Sequence, residues 1–219
     1  MNTSHPAAPG RYDAVRRRRY IPFSDYGPLD EPGWDRFDDA LKAGRLAARR
    51  FYLDASVSPE LARDFRAWTD AMLGAGRDPI TIIVNTPGGE VVSGLDIVSQ
   101  IRSLQRAGIE VRGHVTGDAA SMGAVILAAC SVRSVTSLSR IMWHGIVSMT
   151  YGDQTDMRSG QKELGRLTAT IAGILTATAK PGTRYANRAW VRRTMAEKRP
   201  TWIYPEEALA AGLVDEVVE

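Results

Sequence analysis

Residues 80–85 read ITIIVN, a short and mostly apolar run, and TPGG follows directly. A run of this length and character fits a strand buried on both faces, as in parallel sheets layered under helices. Its flanks narrow the fold further. Upstream, SPELARDFRAWTDAMLGAG opens on a Ser-Pro helix entry and carries Leu61, Phe65, Trp68, Met72 and Leu73 at helical spacing. Before that helix, ARRFYLDASV has strand character. Downstream, GLDIVSQIRSLQRAG reads as an amphipathic helix, IEVRGHVTG as a strand and SMGAVILAAC as a helix apolar all round. SVRSVTSLSRIMWHG supplies two further short strands. Strands alternating with helices imply βαβ crossovers, so an α/β fold with a mainly parallel sheet core is expected.

With 219 residues, 44% hydrophobic and 24% charged, the chain suits one domain able to bury a real core. Residues 1–45 are rich in Pro, Gly, Arg and Asp without a sustained period. They are expected to form a flexible N-terminal arm with a short helix near Trp34 to Ala47, ahead of a single domain over 46–219. No apolar run approaches the roughly 20 residues of a membrane span, and the first residues lack the apolar stretch of a secretory signal. The expectation is a cytoplasmic protein without a membrane partner. A net charge of +3 does not imply nucleic acid. Arg16 to Arg19 form a basic run that fits either a solvated tail or a contact with an acidic partner. The single cysteine, Cys130, excludes an internal disulfide and sits in AVILAACSV as a buried thiol. His5, His114 and His144 lack the spacing of a zinc protease, so no metal is expected. In residues 154–180, Leu164, Leu167, Ile171, Ile174 and Leu175 share one helical stripe, suited to core packing or to oligomerisation.

Three segments join a buried element to a tight turn: Asn85 to Gly89, Gly117 to Gly123, and Met142 to Gly145. Ser121 lies among Ala119, Ala120 and Gly123, between a strand and a buried helix. It fits a helix N-cap, or a nucleophile whose oxyanion would meet the free N–H groups of the helix start. His144 fits a structural histidine, or the base that a weakly nucleophilic hydroxyl requires. Gly88 and Gly89 expose backbone N–H groups after a strand, and taken alone they make a turn.

In order and content the segments together resemble the Clp protease proteolytic-subunit family, from about Phe51 to Val218. VNTPGGEVVSGLDI is similar to the family's strand and Gly-Gly loop, GDAASMGAVILAA to its nucleophile turn and RIMWHG to its histidine turn. YGDQTDMRSGQKELGRL resembles the start of its handle helix, and TWIYPEEALAAGLVDEVV its closing segment. The resemblance implies a ClpP/crotonase-like ββα superhelix with a mainly parallel sheet core and a protruding handle helix. It implies Ser121 as nucleophile, His144 as general base, and the backbone N–H groups of Gly89 and Met122 as oxyanion hole. It further implies a serine endopeptidase that cleaves polypeptides inside a double-heptameric homo-oligomer, fed by an AAA+ ATPase unfoldase and needing no cofactor.

Some features depart from the family. The position of the triad's aspartate, counted back from Trp202, falls on Ala196, or on Thr194 if a short gap is allowed. Glu197 is the nearest carboxylate and stands as the substitute third member. A backbone carbonyl or a hydroxyl, of Thr194 or Thr201, is the other way to orient the ring. Gly145-Ile146 replaces the family's Gln-Pro, the loop after Pro181-Gly182 is longer, and the N-terminal arm differs from the usual axial loop. Two competing readings follow: a catalytically silent subunit mixed into a ring with an active paralogue, and a crotonase-like acyl-CoA enzyme without a nucleophile. The placed Ser-Met-Gly turn and histidine argue against the second.

Overall fold

The computed structural model describes residues 31–148, 152–197 and 200–219. The basic run Arg16 to Arg19 and most of the expected arm lie outside the described residues. Arg45–Glu219 forms one compact unit. Helix α1 (Glu31–Ala47) begins three residues before the helix expected at Trp34.

In this unit, β1 (Arg50–Leu53), β2 (Ile80–Thr86), β3 (Val111–Ala120), β4 (Val132–Thr136) and β7 (Glu216–Val218) form a parallel sheet in that spatial order. The crossovers are α2 (Pro59–Gly74), α3 (Val91–Arg106) and α4 (Met122–Ala129). Successive strands lie side by side in chain order, so right-handed crossovers put these three helices on one face. The strands record that asymmetry. Ile80, Ile82, Val84 and Thr86 of β2 are buried, whereas Thr81 and Ile83 are half-buried and Asn85 is exposed. The strand expected to be buried on both faces is therefore covered on one, because among the described residues these crossovers all lie on the same side. Phe51 of β1 meets Phe65 and Trp68 of α2 at ring-centroid distances of 4.9 and 5.6 Å, an aromatic seam under the sheet's first edge. Burying a side chain like Phe65 contributes about 1.5–3 kcal/mol.

The feature that builds a site is the length of β3. Its first half pairs with β4, through Arg112 to Val115. Its second half leaves β4 and pairs instead with β5 (Arg140–Trp143), Ala120 lying opposite Met142. Both strands run the same way and end together, so whatever follows Ala120 and Trp143 emerges at the same edge. β6 (Thr201–Ile203) closes the far side of β5 antiparallel, with Thr201 opposite Trp143.

Helix α5 (Gln154–Thr176) starts with a capping box at Asp153 and is buried only at Ile171, Ala172, Ile174 and Leu175. Its first four turns are mostly exposed, as a protruding handle requires. Helix α6 (Arg188–Ala196) packs against it, and α7 (Pro205–Ala210) leads to β7.

Arg133 ties the last strand to the sheet. Its side chain is 8% exposed and forms a two-pronged pair with Asp215, at 2.7 and 3.0 Å, while the Arg133 N–H also donates to that carboxylate at 2.8 Å. Partial burial, the largest single influence, pushes the Asp215 carboxyl up. The side-chain and backbone hydrogen bonds from Arg133 and its charge together outweigh this, and the net shift is downward. A depressed carboxyl stabilises the fold above its unfolded pKa, about 3.9, and that contribution disappears as pH falls through the folded value. Asp215→Asn is expected to be less stable than the parent at pH 7, with the gap closing below about pH 4 in urea titrations. A gap independent of pH would show that the pair contributes shape and no charge.

Candidate active site

Ser121 is the residue at which β3 turns into α4. Its backbone sits at φ 53°, ψ −117°, one of two non-glycine residues with positive φ among the described residues. Such a conformation costs about 1–3 kcal/mol and persists where its surroundings enforce it. Here the Ser121 N–H donates to Met142 O of β5 at 2.7 Å, and Ala124 N–H donates back to Ser121 O at 3.1 Å. Ser121 occupies the N-cap position of α4, yet its side chain makes no capping hydrogen bond. Ser121 is half-buried and lines a cleft.

The Pro87-Gly88-Gly89 loop passes against this turn. A Cβ on Gly88 would lie 2.5 Å from Ser121 Cβ and 2.7 Å from Ala120 O, and Gly88 has φ +92°. The loop is clamped from behind. Val57 N–H donates to Gly88 O and Glu90 N–H to Val57 O, each at 2.8 Å, and Thr86 Oγ1 accepts from Gly88 N–H while donating to Ala55 O. Among the described residues the Gly89 N–H has no partner, and Met122, first residue of α4, has no intrahelical acceptor for its own. Two free amides thus flank the serine, at the start of a helix whose dipole favours negative charge there.

His144 follows β5 directly and is half-buried. Its Nδ1 lies 2.6 Å from the carbonyl oxygen of Gly145. Among the described residues it is the one histidine lining the cleft. His114 lies in the first half of β3, opposite Ser134 of β4, with Nδ1 2.8 Å from Ser134 Oγ. The cleft has a volume of about 570 Å³ and holds Ser121, His144 and Gly89 in one lining. Its wall is apolar, from Val125, Leu164, Leu167, Ile171 and Met195, and Glu90 and Glu163 stand on its lining. The stripe therefore serves two surfaces: Ile174 and Leu175 pack in the core, Leu164 and Leu167 face the cleft, and the buried Ile171 belongs to both.

Glu197 is not brought to His144. It is the C-cap of α6, its N–H turns back to Arg193 O and Thr194 O, and its side chain is exposed and absent from the cleft lining. Thr194 is buried and spent elsewhere, accepting from Trp143 Nε1 at 3.2 Å and donating to Val191 O at 2.8 Å. The Cys130 thiol is fully enclosed, and burial pushes its pKa up to about 12, which makes it inert. Among the described residues no group of His, Cys, Asp and Glu could hold a metal ion, and no helix is long and apolar enough to cross a membrane.

A one-sided parallel sheet, a handle helix and a cleft at the shared end of β3 and β5 define a ClpP/crotonase-like α/β protein. A family model described as Clp protease matches residues 44–219, and the chain belongs to that family. The ATP-dependent Clp protease proteolytic subunit 1 of Protochlamydia amoebophila is 31% identical over 191 residues, covering 84% of this chain and 85% of the relative. That of Chlamydia pneumoniae is 32% identical over 190 residues, covering 82% and 92%. The ATP-dependent Clp protease proteolytic subunit of Bacteroides fragilis is 30% identical over 182 residues, covering 82% and 74%.

Proposed function

We propose that the chain is a serine endopeptidase subunit in which Ser121 is the nucleophile, His144 the general base, and the Gly89 and Met122 amides the oxyanion hole. The observation that carries this is Ser121 itself. A strained serine with no capping bond, opening onto a cleft beside a histidine and two free amides, has no structural task that accounts for it. In the forward step Ser121 Oγ bonds to the scissile carbonyl carbon as His144 Nε2 takes its proton. The carbonyl oxygen becomes an oxyanion between the Gly89 and Met122 N–H groups. The imidazolium then returns the proton to the departing amine nitrogen as the C–N bond breaks, which leaves an acyl-serine. Water repeats the sequence and releases the acid. The apolar wall from Val125 to Ile171 suits an apolar substrate side chain beside the scissile bond.

On this reading residues 46–219 act as one peptidase domain behind the arm of residues 1–45. The exposed turns of α5 supply the surface through which copies assemble into a cytoplasmic double ring, alone or with a paralogue, fed by an AAA+ unfoldase. A fluorophosphonate probe tests the chemistry: mass spectrometry is expected to find the adduct on Ser121. A protein that takes no label under conditions that label trypsin is instead the silent subunit. Assembly is tested by light scattering, where a monodisperse monomer at micromolar concentration would remove the ring.

A further inference from the structure

We infer that His144 is poised as a base by the main-chain carbonyl of Gly145, in the role that a carboxylate fills in a Ser-His-Asp triad; this rests on the peptidase reading above. A carbonyl oxygen can only accept. With Gly145 O 2.6 Å from Nδ1, the Nδ1 atom carries the proton, and the lone pair is left on Nε2, the atom that must receive the serine proton.

The geometry around Gly145 enforces this arrangement. A Cβ at position 145 would lie 2.0 Å from Met195 O, a backbone atom of a buried residue in the last turn of α6. Only glycine lets β5 run out past the end of that helix, and the peptide that follows brings its carbonyl back to the preceding ring. Three polar side chains of the described residues around the cleft are engaged elsewhere. Glu90 accepts from the Ser93 hydroxyl, Glu163 pairs with Arg166, and Thr194 is bonded to Trp143 and Val191. Glu197 faces solvent beyond the helix end.

Gly145 is thus a positioning residue acting through its backbone. When Nε2 takes the proton, Nδ1–H stays on the carbonyl, and a peptide dipole compensates the imidazolium charge less than a full negative charge would. The cost of a missing aspartate is not the roughly 10⁴-fold loss seen where an amide enforces the wrong tautomer, because this carbonyl enforces the right one.

The full chain has three histidines, so ¹⁵N-histidine labelling gives a spectrum in which His144 is assigned from its loss in His144→Gln. The expected result is a neutral His144 protonated on Nδ1 with an unprotonated Nε2. A neutral His144 protonated on Nε2 would overturn the inference. In parallel, Glu197→Gln is expected to keep kcat within about threefold of the parent. A fall of about 100-fold or more would name that carboxylate as the true partner and overturn the inference too. The spectrum needs no turnover, so an inert chain would defeat the peptidase reading while the tautomer still decides this one.

Discussion

Ser121→Ala is expected to abolish peptide hydrolysis, by about 10⁴-fold or more in kcat, with fold and assembly unchanged. The size of the loss follows from the division of labour in such a site: without the nucleophile, only binding and the oxyanion hole remain. The harmlessness of the substitution to the fold is the less obvious half. Ser121 makes no side-chain capping bond, so alanine removes no hydrogen bond that holds α4. Its φ of 53° strains serine and alanine alike, and the bond from its N–H to Met142 O belongs to the backbone. The melting temperature should therefore move by no more than about 2 °C, far less than loss of a working N-cap would cause. A variant that still cleaves a small fluorogenic peptide at the parental rate would end the assignment of Ser121. One that loses activity together with several degrees of stability would return Ser121 to a structural role.

That contrast also shows where sequence patterns stop. The alternation of ITIIVN, SMGAVILAAC and their neighbours places β1, β2, the first part of β3, β4, β5 and α2 to α5, because burial periodicity is a property of side chains; the end of β3 beyond Gly117, α6 and β6 carry no such pattern. It does not tell which sheet face is covered. That depends on the spatial order of the strands, and Ile83 emerges half-buried where a two-sided strand is expected. At Ser121, small neighbours fit a cap or a nucleophile equally well, and only the backbone angles and the missing capping bond separate them. The Leu164 to Leu175 stripe is one pattern in the sequence but two surfaces in the fold, since α5 leaves the core near Ile171 and passes the cleft above it. The orienting group of His144 had no side-chain signal to find. Every residue owns a carbonyl, and the trace of this one is the glycine at position 145, which reads as an ordinary turn until Met195 O is placed beside it. By sequence distance from Trp202 alone, Glu197 is the nearest carboxylate. In the fold it is the C-cap of α6 and is exposed.

The Gly-Gly loop offers a second large effect, on the amides and not on the nucleophile. In Gly88→Ala the new Cβ would sit 2.5 Å from Ser121 Cβ, 2.7 Å from Ala120 O and 2.9 Å from Met122 N. Two of these are backbone atoms, and the third is the base of the nucleophile's own side chain. None can rotate away, so the loop or the serine turn must shift, and either movement separates the Gly89 and Met122 amides from the oxyanion they would share. Loss of one donor from such a pair costs roughly 10²–10³ in kcat, and Gly88→Ala is expected to lose at least about that much, with KM little changed. The left-handed φ of +92° adds a backbone penalty, so the fold should weaken as well. Gly108→Ala separates the two contributions. Gly108 has a similar φ of +82°, follows α3 on the surface, and has nothing within 4 Å of the added Cβ. It should pay about 1–2 kcal/mol of stability and keep full turnover. If Gly88→Ala also destabilises by only that amount and hydrolyses peptides at the parental rate, the loop does not bear on the reacting carbonyl, and the Gly89 amide is not part of the oxyanion hole.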